Sequence, residues 1–293
     1  MNLAVTVLNI TAPVFLLAAV GYAWVKLGFE YRVEFVTRLA MTLSVPCLIF
    51  VALLKTEIEP DALAALSLAS LVAYVLVAIA FFFIVTLWKL DTATYLAPLI
   101  FGNTGNLGLP LALFAFGEVG LGYAVIVFAV MAIISFTLGV WLVSGGGSPA
   151  KVIKEPLVAA TVLGAIFLWQ DWRPPEFLFN SLDLIGQMAI PMMLITLGVA
   201  IARLEIRAVG QAIVLSVLKV VICVICAWGV SLWFALDPVA AAVLIVQVAT
   251  PVAVTSYLLA EKYGADAQPV AGLVVVSTLL SVVTLPLILS FVI

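Results

Sequence analysis

The chain has 293 residues, 66% of them hydrophobic and 9% charged, whereas a soluble domain carries about 25% charged side chains. A water-soluble core cannot hide that much apolar surface, so a soluble globular fold is excluded. The 12 Lys and Arg against 15 Asp and Glu leave a formal charge of -3, with no basic tract, which argues against nucleic acid as a partner and makes the lipid bilayer the main solvent.

A bilayer core of about 30 Å needs about 20 apolar residues per helix. Apolar runs of that kind fall near 4–25, 35–54, 62–88, 94–116, 119–143, 152–170, 177–202, 207–236, 238–261 and 269–293. The expected fold class is therefore all-α integral membrane, with ten transmembrane helices. The first run has no positively charged segment before it and no small-residue cleavage site after it, and reads as a retained span. Cys47, Cys223 and Cys226 lie inside apolar runs. They imply no disulfide framework, and the Cys223/Cys226 pair reads as small buried residues at helical spacing. Histidine is absent from the sequence, which removes the commonest general base and metal ligand, so no metal ligands are assigned. Trp24, Trp88, Trp141, Trp169, Trp172 and Trp233 fall near span ends, as interfacial anchors do.

The longest polar connector, 144–155 (SGGGSPAKVIKE), reads as a flexible linker. It divides the chain into 1–143 and 156–293, each with five spans. Lys26, Arg32, Arg38, Lys89, Lys151, Lys154, Arg203, Arg207 and Lys262 gather in loops on one side, and only Lys55 and Arg173 on the other. By the positive-inside rule the first side is cytoplasmic. The expectation is a multi-pass protein of the inner (plasma) membrane, with both termini extracytoplasmic.

The halves resemble each other. Pro13 to Gly21 (PVFLLAAVG) and Pro156 to Gly164 (PLVAATVLG) share their Pro and Gly spacing, Ser44-Val-Pro46 matches Ala189-Ile-Pro191, and FAFGEVG at 114–120 matches LLAEKYG at 258–264. The displacement is nearly constant. Because five spans is an odd number, the second copy enters the membrane in the opposite sense, giving two inverted five-helix repeats.

In hydrocarbon, non-helical backbone survives only where it is buried or lines a cavity. The fourth span contains Gly102-Asn103-Thr104-Gly105-Asn106-Leu107-Gly108-Leu109-Pro110, and its mate, the ninth, carries Gln247-Val-Ala-Thr250-Pro251 and Thr255-Ser256-Tyr257. Both are expected to break at mid-depth around Gly105, Gly108, Pro110 and Pro251. A break presents a half-helix N-terminus to an anion. Asn103, Asn106, Thr250 and Ser256 are the candidate substrate ligands. Lys219, deep in the eighth span, is a candidate gating charge that needs a partner. Asp183, Glu118, the carbonyls of an unwound segment and the substrate anion are the candidates for it, and Asp183 is equally suited to a cap near its span end.

GNTGNLGLP, MLITLGVAIA at 193–202 and TPVAVTSYLLAEKYGAD at 250–266 together resemble the auxin efflux carrier family, and the likeness runs along essentially the whole chain. The resemblance implies a scaffold of spans 1, 2, 6 and 7, a transport unit of spans 3–5 and 8–10, crossing of broken helices 4 and 9, elevator-type movement, and a homodimer. It carries Asn103, Pro110 and Pro251 over as break residues and Ser44 as a polar position near the substrate. Lys219 matches an eighth-span lysine of plant members, although the third span here lacks an acidic companion. The short linker suggests a prokaryotic permease and argues against auxin as its substrate.

The expected function is a secondary transporter of small organic anions, non-enzymatic and without cofactor, with coupling to Na+ or H+ left open. A sodium-coupled symporter of the bile-acid type and a membrane sensor are the rival readings. An intramembrane enzyme is disfavoured because no catalytic dyad beyond a formal Ser and Lys219 pairing is present.

Overall fold

The structure, a computed structural model, describes residues 3–55, 60–144, 156–170, 172–204 and 209–293. All of the 144–155 connector except Ser144 lies outside the described residues, as do Lys151, Lys154 and Arg207. Among the described residues the regular structure is helical, joined by short turns and connectors, with one isolated antiparallel bridge between Gly102 and Val252.

In chain order, α1 spans Leu3–Lys26, α2 Val33–Leu39, α3 Val45–Lys55, α4 Pro60–Leu87, α5 Thr92–Ile100, α6 Leu109–Ile134 and α7 Val140–Ser144. The second half holds α8 at Pro156–Trp169, α9 at Glu176–Gln187, α10 at Ala189–Arg203, α11 at Val209–Trp233, α12 at Pro238–Val248, α13 at Val254–Tyr263 and α14 at Ala267–Val292. Seven helical stretches among the described residues are long and apolar enough to cross a bilayer. That number is lower than the ten apolar runs for a physical reason. The chain leaves helical geometry within the fourth and ninth runs, so α5, α12 and α13 are each too short to cross alone, and α8 in the sixth run has only 14 residues. The fourth and fifth runs also abut at Gly117 with no loop between them, so they count as one long stretch although Gly117 itself is not helical. Together these helices make the chain a multi-pass membrane protein.

Three widened π turns interrupt the helices, at Ala40–Ser44, Thr104–Gly108 and Ser135–Gly139. The first two end two residues before a proline, Pro46 and Pro110. Proline has no N–H, and its ring collides with the carbonyl four residues back. Shifting the preceding bond to i→i-5, with Val45 N–H donating to Ala40 O and Leu109 N–H to Thr104 O, carries the helix past that obstacle.

Two glycine contacts fix the closest helix approaches. A Cβ on Gly198 would lie 1.7 Å from Ala18 O, and one on Gly21 would lie 2.0 Å from Ile195 O, so the backbones of α1 and α10 touch. Gly164 of α8 packs against Leu53 of α3, where an added Cβ would be 2.8 Å from Cδ1. Small residues permit such seams where lipid supplies no hydrophobic drive between helices.

The ends are capped in matching ways. Asp91 accepts from Thr94 N–H at 2.9 Å at the start of α5, and Asp237 accepts from Val239 N–H at 2.9 Å at the start of α12. Gly117 (φ 66) and Gly264 (φ 79) close the helical segments that follow the two breaks, a backbone region that favours glycine.

Arg203 donates to Tyr31 O at 2.7 Å, and the Tyr31 hydroxyl bonds Thr196 Oγ1 at 2.7 Å, tying the α1–α2 turn to α10. Burial raises the Tyr31 pKa above its ordinary value, and the Thr196 bond partly opposes that. The phenol therefore stays protonated at neutral pH. At the opposite ends of the helices, Arg173 donates to Leu54 O and Lys55 pairs with Asp183. The six tryptophans at span ends are all exposed.

Candidate functional site

The break in the fourth run begins where α5 ends. Phe101 N–H still donates to Ala97 O at 2.9 Å, and then the backbone turns extended at Phe101. A continuous helix would send Asn103 N–H to Leu99 O and Thr104 N–H to Ile100 O. Instead Asn103 N–H donates to Pro251 O at 2.7 Å, across to the break in the ninth run. That break starts at Ala249 and ends at Ala253, which is extended again before α13. Pro251 has no N–H to lose, and the Val252 amide donates to Ser277 Oγ of α14 at 3.0 Å. The two interrupted segments thus satisfy each other's backbone inside hydrocarbon, as buried non-helical chain must.

Close approach needs a missing side chain. A Cβ on Gly102 would sit 2.2 Å from Thr250 Oγ1 and 3.0 Å from Thr250 O. One on Gly108 would sit 2.1 Å from Gln247 Oε1, so Gln247 of α12 lies directly over the Thr104–Gly108 turn. Gly105 faces Phe128 and Met193, the latter from α10. Both breaks and α10 therefore meet around one short stretch of chain.

Lys219 is fully buried, with 0% of its surface exposed. It lies on the inward stripe of α11 with Leu215, Ser216, Cys223, Ala227 and Val230, while Val217, Val221, Ile225, Trp228 and Leu232 face outward. Its ammonium donates to Leu99 O at 2.8 Å and reaches Ile100 O at 3.5 Å. These are the two carbonyls that the break deprives of their helical donors. Of the partners considered for Lys219, the structure thus selects the carbonyls of the interrupted helix. A buried lysine costs at least about 2.5 kcal/mol on insertion scales. Hydrogen bonds from a charged donor, at about 1.5–3 kcal/mol each, together with the negative end of α5, offset that cost.

Several buried polar atoms around the crossing have no hydrogen-bond partner among the described residues, namely Asn103 Nδ2, Thr104 Oγ1 and Gln247 Oε1. Gln247 Nε2 makes one long bond, 3.4 Å, to Ala124 O. The first intrahelical bonds of the turn are from Leu107 and Gly108 onto Asn103 O, at 3.1 and 3.2 Å. The amides before them head a half-helix whose dipole is positive at this end. Unpaired donors beside a helix N-terminus make a receptive place for an oxyanion.

The other candidates are distributed unevenly. Thr250 is buried, and its hydroxyl donates to Gln247 O at 2.7 Å, which leaves only acceptor capacity. Ser256 is buried in the first turn of α13, where its N–H donates to Ala253 O at 3.0 Å. Asn106 is half-buried in the widened turn. Ser44 is buried with an unpartnered hydroxyl, at the end of the Ala40–Ser44 turn, and no hydrogen bond joins it to the crossing. Asp183 stands apart. It accepts from Lys55 Nζ at 2.9 Å and from Gln187 Nε2 at 3.2 Å, beside a cavity of 330 Å³ also lined by Glu118, Leu113 and Pro191. Both charged groups of the pair are about a third exposed. The joint replacement Lys55→Gln with Asp183→Asn is therefore expected to lower stability by under about 1 kcal/mol, measured as Tm in detergent.

Sequence reasoning did not single out Gly102, Gln247 and Ser277 as site residues. Gly102 and Gln247 stood at the edges of the quoted runs, where a close contact has no signature of its own. Ser277 had no signal, because its role depends on where α14 passes.

The family described as membrane transport protein matches the chain over residues 6–152 and 147–289. Three similar proteins share this character. A Rhizobium meliloti (strain 1021) protein, provisionally named as a malonate transporter, is 25% identical over 63% of this chain and 62% of its own length. An uncharacterized transporter of Methanocaldococcus jannaschii is 25% identical over 64% of each chain. An uncharacterized transporter of Methanothermobacter thermautotrophicus is 29% identical over 63% of each. The chain thus matches a little under two thirds of the length of these relatives. With the family matching nearly the whole chain, and with the crossing carried by the motifs that resemble it, the protein belongs to the membrane transport protein family of auxin efflux carrier type.

Proposed function

We propose that this protein is a secondary transporter that moves small organic anions across the membrane by alternating access. The observation that carries this reading is the meeting of two interrupted helices through Asn103 and Pro251, with unpartnered buried donors at the head of the Thr104–Gly108 half-helix. An oxyanion there gains amide and carboxamide hydrogen bonds that water cannot supply at mid-depth. The name of the Rhizobium meliloti relative supports carboxylates as the substrate class.

The architecture in this reading is ten crossing segments in two inverted five-helix repeats, with the nine-cation side cytoplasmic. Matching features in the two halves support it. Asp91 and Gly117 frame the first broken span as Asp237 and Gly264 frame the second. Gly21 seats α1 on α10 as Gly164 seats α8 on α3. A unit of α4–α7 with α11–α14 then slides against α1–α3 with α8–α10, and carries the crossing past Ser44 and Met193.

Flux of radiolabelled malonate, succinate, acetate and indole-3-acetate into proteoliposomes, with sodium and proton gradients imposed separately, tests this reading. Saturable flux is expected for at least one acid. In the variant Asn103→Ala, which loses the unpartnered Nδ2 donor, affinity is expected to fall about tenfold, as for one charge-assisted hydrogen bond. Unchanged affinity and rate in that variant would sink the site assignment.

A further inference from the structure

We infer that Lys219 is the counter-charge of the cargo: its ammonium neutralises a singly charged anion held at the crossing, so the loaded transport unit carries no net buried charge across the bilayer. The inference rests on the transporter reading above and deepens it by fixing the charge state of the transported species.

The placement of charge in the core carries the argument. Lys219 is the one Lys or Arg buried among the described residues, and no buried Asp or Glu accompanies it there. The two ion pairs among the described residues, Arg32–Glu30 and Lys55–Asp183, both lie elsewhere and are at least partly exposed. The elements packed around α11 are α14, α12, α4 and α5. Toward Lys219 they and α11 itself present the carbonyls of Leu99 and Ile100 and the thiol of Cys223. The buried Tyr74 hydroxyl of α4 lies near that same thiol. None of these groups is a carboxylate.

The ammonium caps the C-terminal end of α5 at Leu99 and Ile100, and the anion-receptive amides head the next half-helix, which begins four residues after α5 at Thr104. Cation and anion sites are therefore on opposite sides of one break and belong to the same moving unit. A monoanion at Thr104 brings the buried charge of that unit to zero, while the empty unit keeps one buried positive charge. Charge buried in hydrocarbon is costly to move, and the membrane field acts on what is left uncompensated.

The charge movements follow directly. Exchange of a monoanion, in which only the loaded unit crosses, is independent of membrane potential. Net uptake includes return of the empty unit with its uncompensated buried Lys219 and is slowed by a negative interior. Replacing Lys219 with a neutral residue reverses the pattern, because the loaded unit then carries the charge of the anion and the empty unit carries none.

The experiment is exchange of radiolabelled monomethyl malonate, a monoanion at neutral pH, and of malonate, a dianion, in proteoliposomes clamped at potassium diffusion potentials of both signs. Wild-type protein, Lys219→Gln and Lys219→Arg are compared. Monoanion exchange is expected to be flat with potential in wild type and Lys219→Arg. In Lys219→Gln it is expected to change about threefold for about a tenfold potassium gradient, as for one charge crossing the field. Malonate exchange in wild type should depend on potential in the same way. Potential-dependent monoanion exchange in wild type would overturn the inference without the variants, and a flat profile in a folded Lys219→Gln protein would overturn it as well. If neither acid shows saturable flux in any protein, the transporter reading for this substrate class falls, a result separate from either of those.

Discussion

Gly198→Ala is expected to destabilise the protein by about 3 kcal/mol or more, even though alanine is favoured over glycine inside a helix by about 1 kcal/mol. The new methyl would lie 1.7 Å from Ala18 O and 2.8 Å from Tyr22 N, both backbone atoms of α1. No rotamer change relieves a collision with backbone, so α1 and α10 must separate along their whole shared seam. Gly21→Ala meets Ile195 O at 2.0 Å on the same seam and should act alike. The telling result is the double variant. Once the helices have moved apart to admit one methyl group, the second finds room, so the combined loss should be clearly less than the sum of the singles. Thermal denaturation in detergent, followed by helix content, measures all three. Strictly additive losses would mean that the two glycines do not share one helix separation.

How far the sequence reveals this fold depends on the scale of the feature. The apolar runs are unambiguous because hydrocarbon admits few alternatives to a helix, and most of them correspond to helices of the structure. Gly102 to Pro110 and Thr250-Pro251 mark the breaks because proline and clustered glycine are poor helix formers wherever they stand. Pro46 and Pro110 turn out to share a second feature, the widened turn before each, which requires only local geometry but leaves no trace in composition. Long-range partners are another matter. Lys219 could be seen to need a partner, yet nothing in the sequence separates the carbonyls of Leu99 and Ile100 from Asp183 or Glu118. Distance along the chain carries no information about which helix ends meet. Asp183 instead pairs with Lys55, 128 residues away, for the same reason. The interior of the crossing is hardest to read, since Gln247 over Gly108 and Ser277 under Val252 depend on the final packing of α12 and α14.

Gly102→Ala is expected to reduce transport at least about tenfold while leaving most of the helical structure in place, which separates it from the α1–α10 seam. The added methyl enters the bridge between the two breaks, 2.2 Å from Thr250 Oγ1 and 3.0 Å from Thr250 O. Thr250 Oγ1 cannot simply turn aside, because it is held by its bond to Gln247 O at 2.7 Å. The strain therefore falls on the Asn103 N–H to Pro251 O contact that aligns the half-helices, and the anion site proposed above, misplaced by a fraction of an ångström, loses its amide hydrogen bonds. A second substitution identifies the cause. In Gly102→Ala with Thr250→Ala the nearest obstacle is gone and the 3.0 Å contact with the carbonyl and the 3.3 Å contact with Cβ are left, so flux should recover in part. In Gly102→Ala with Thr250→Ser the hydroxyl stays and flux should remain low. Equal recovery in both double variants would show that the threonine methyl, not Oγ1, sets the limit at this bridge. Recovery in neither would place the limit in the backbone carbonyl and in the closeness of the two breaks themselves.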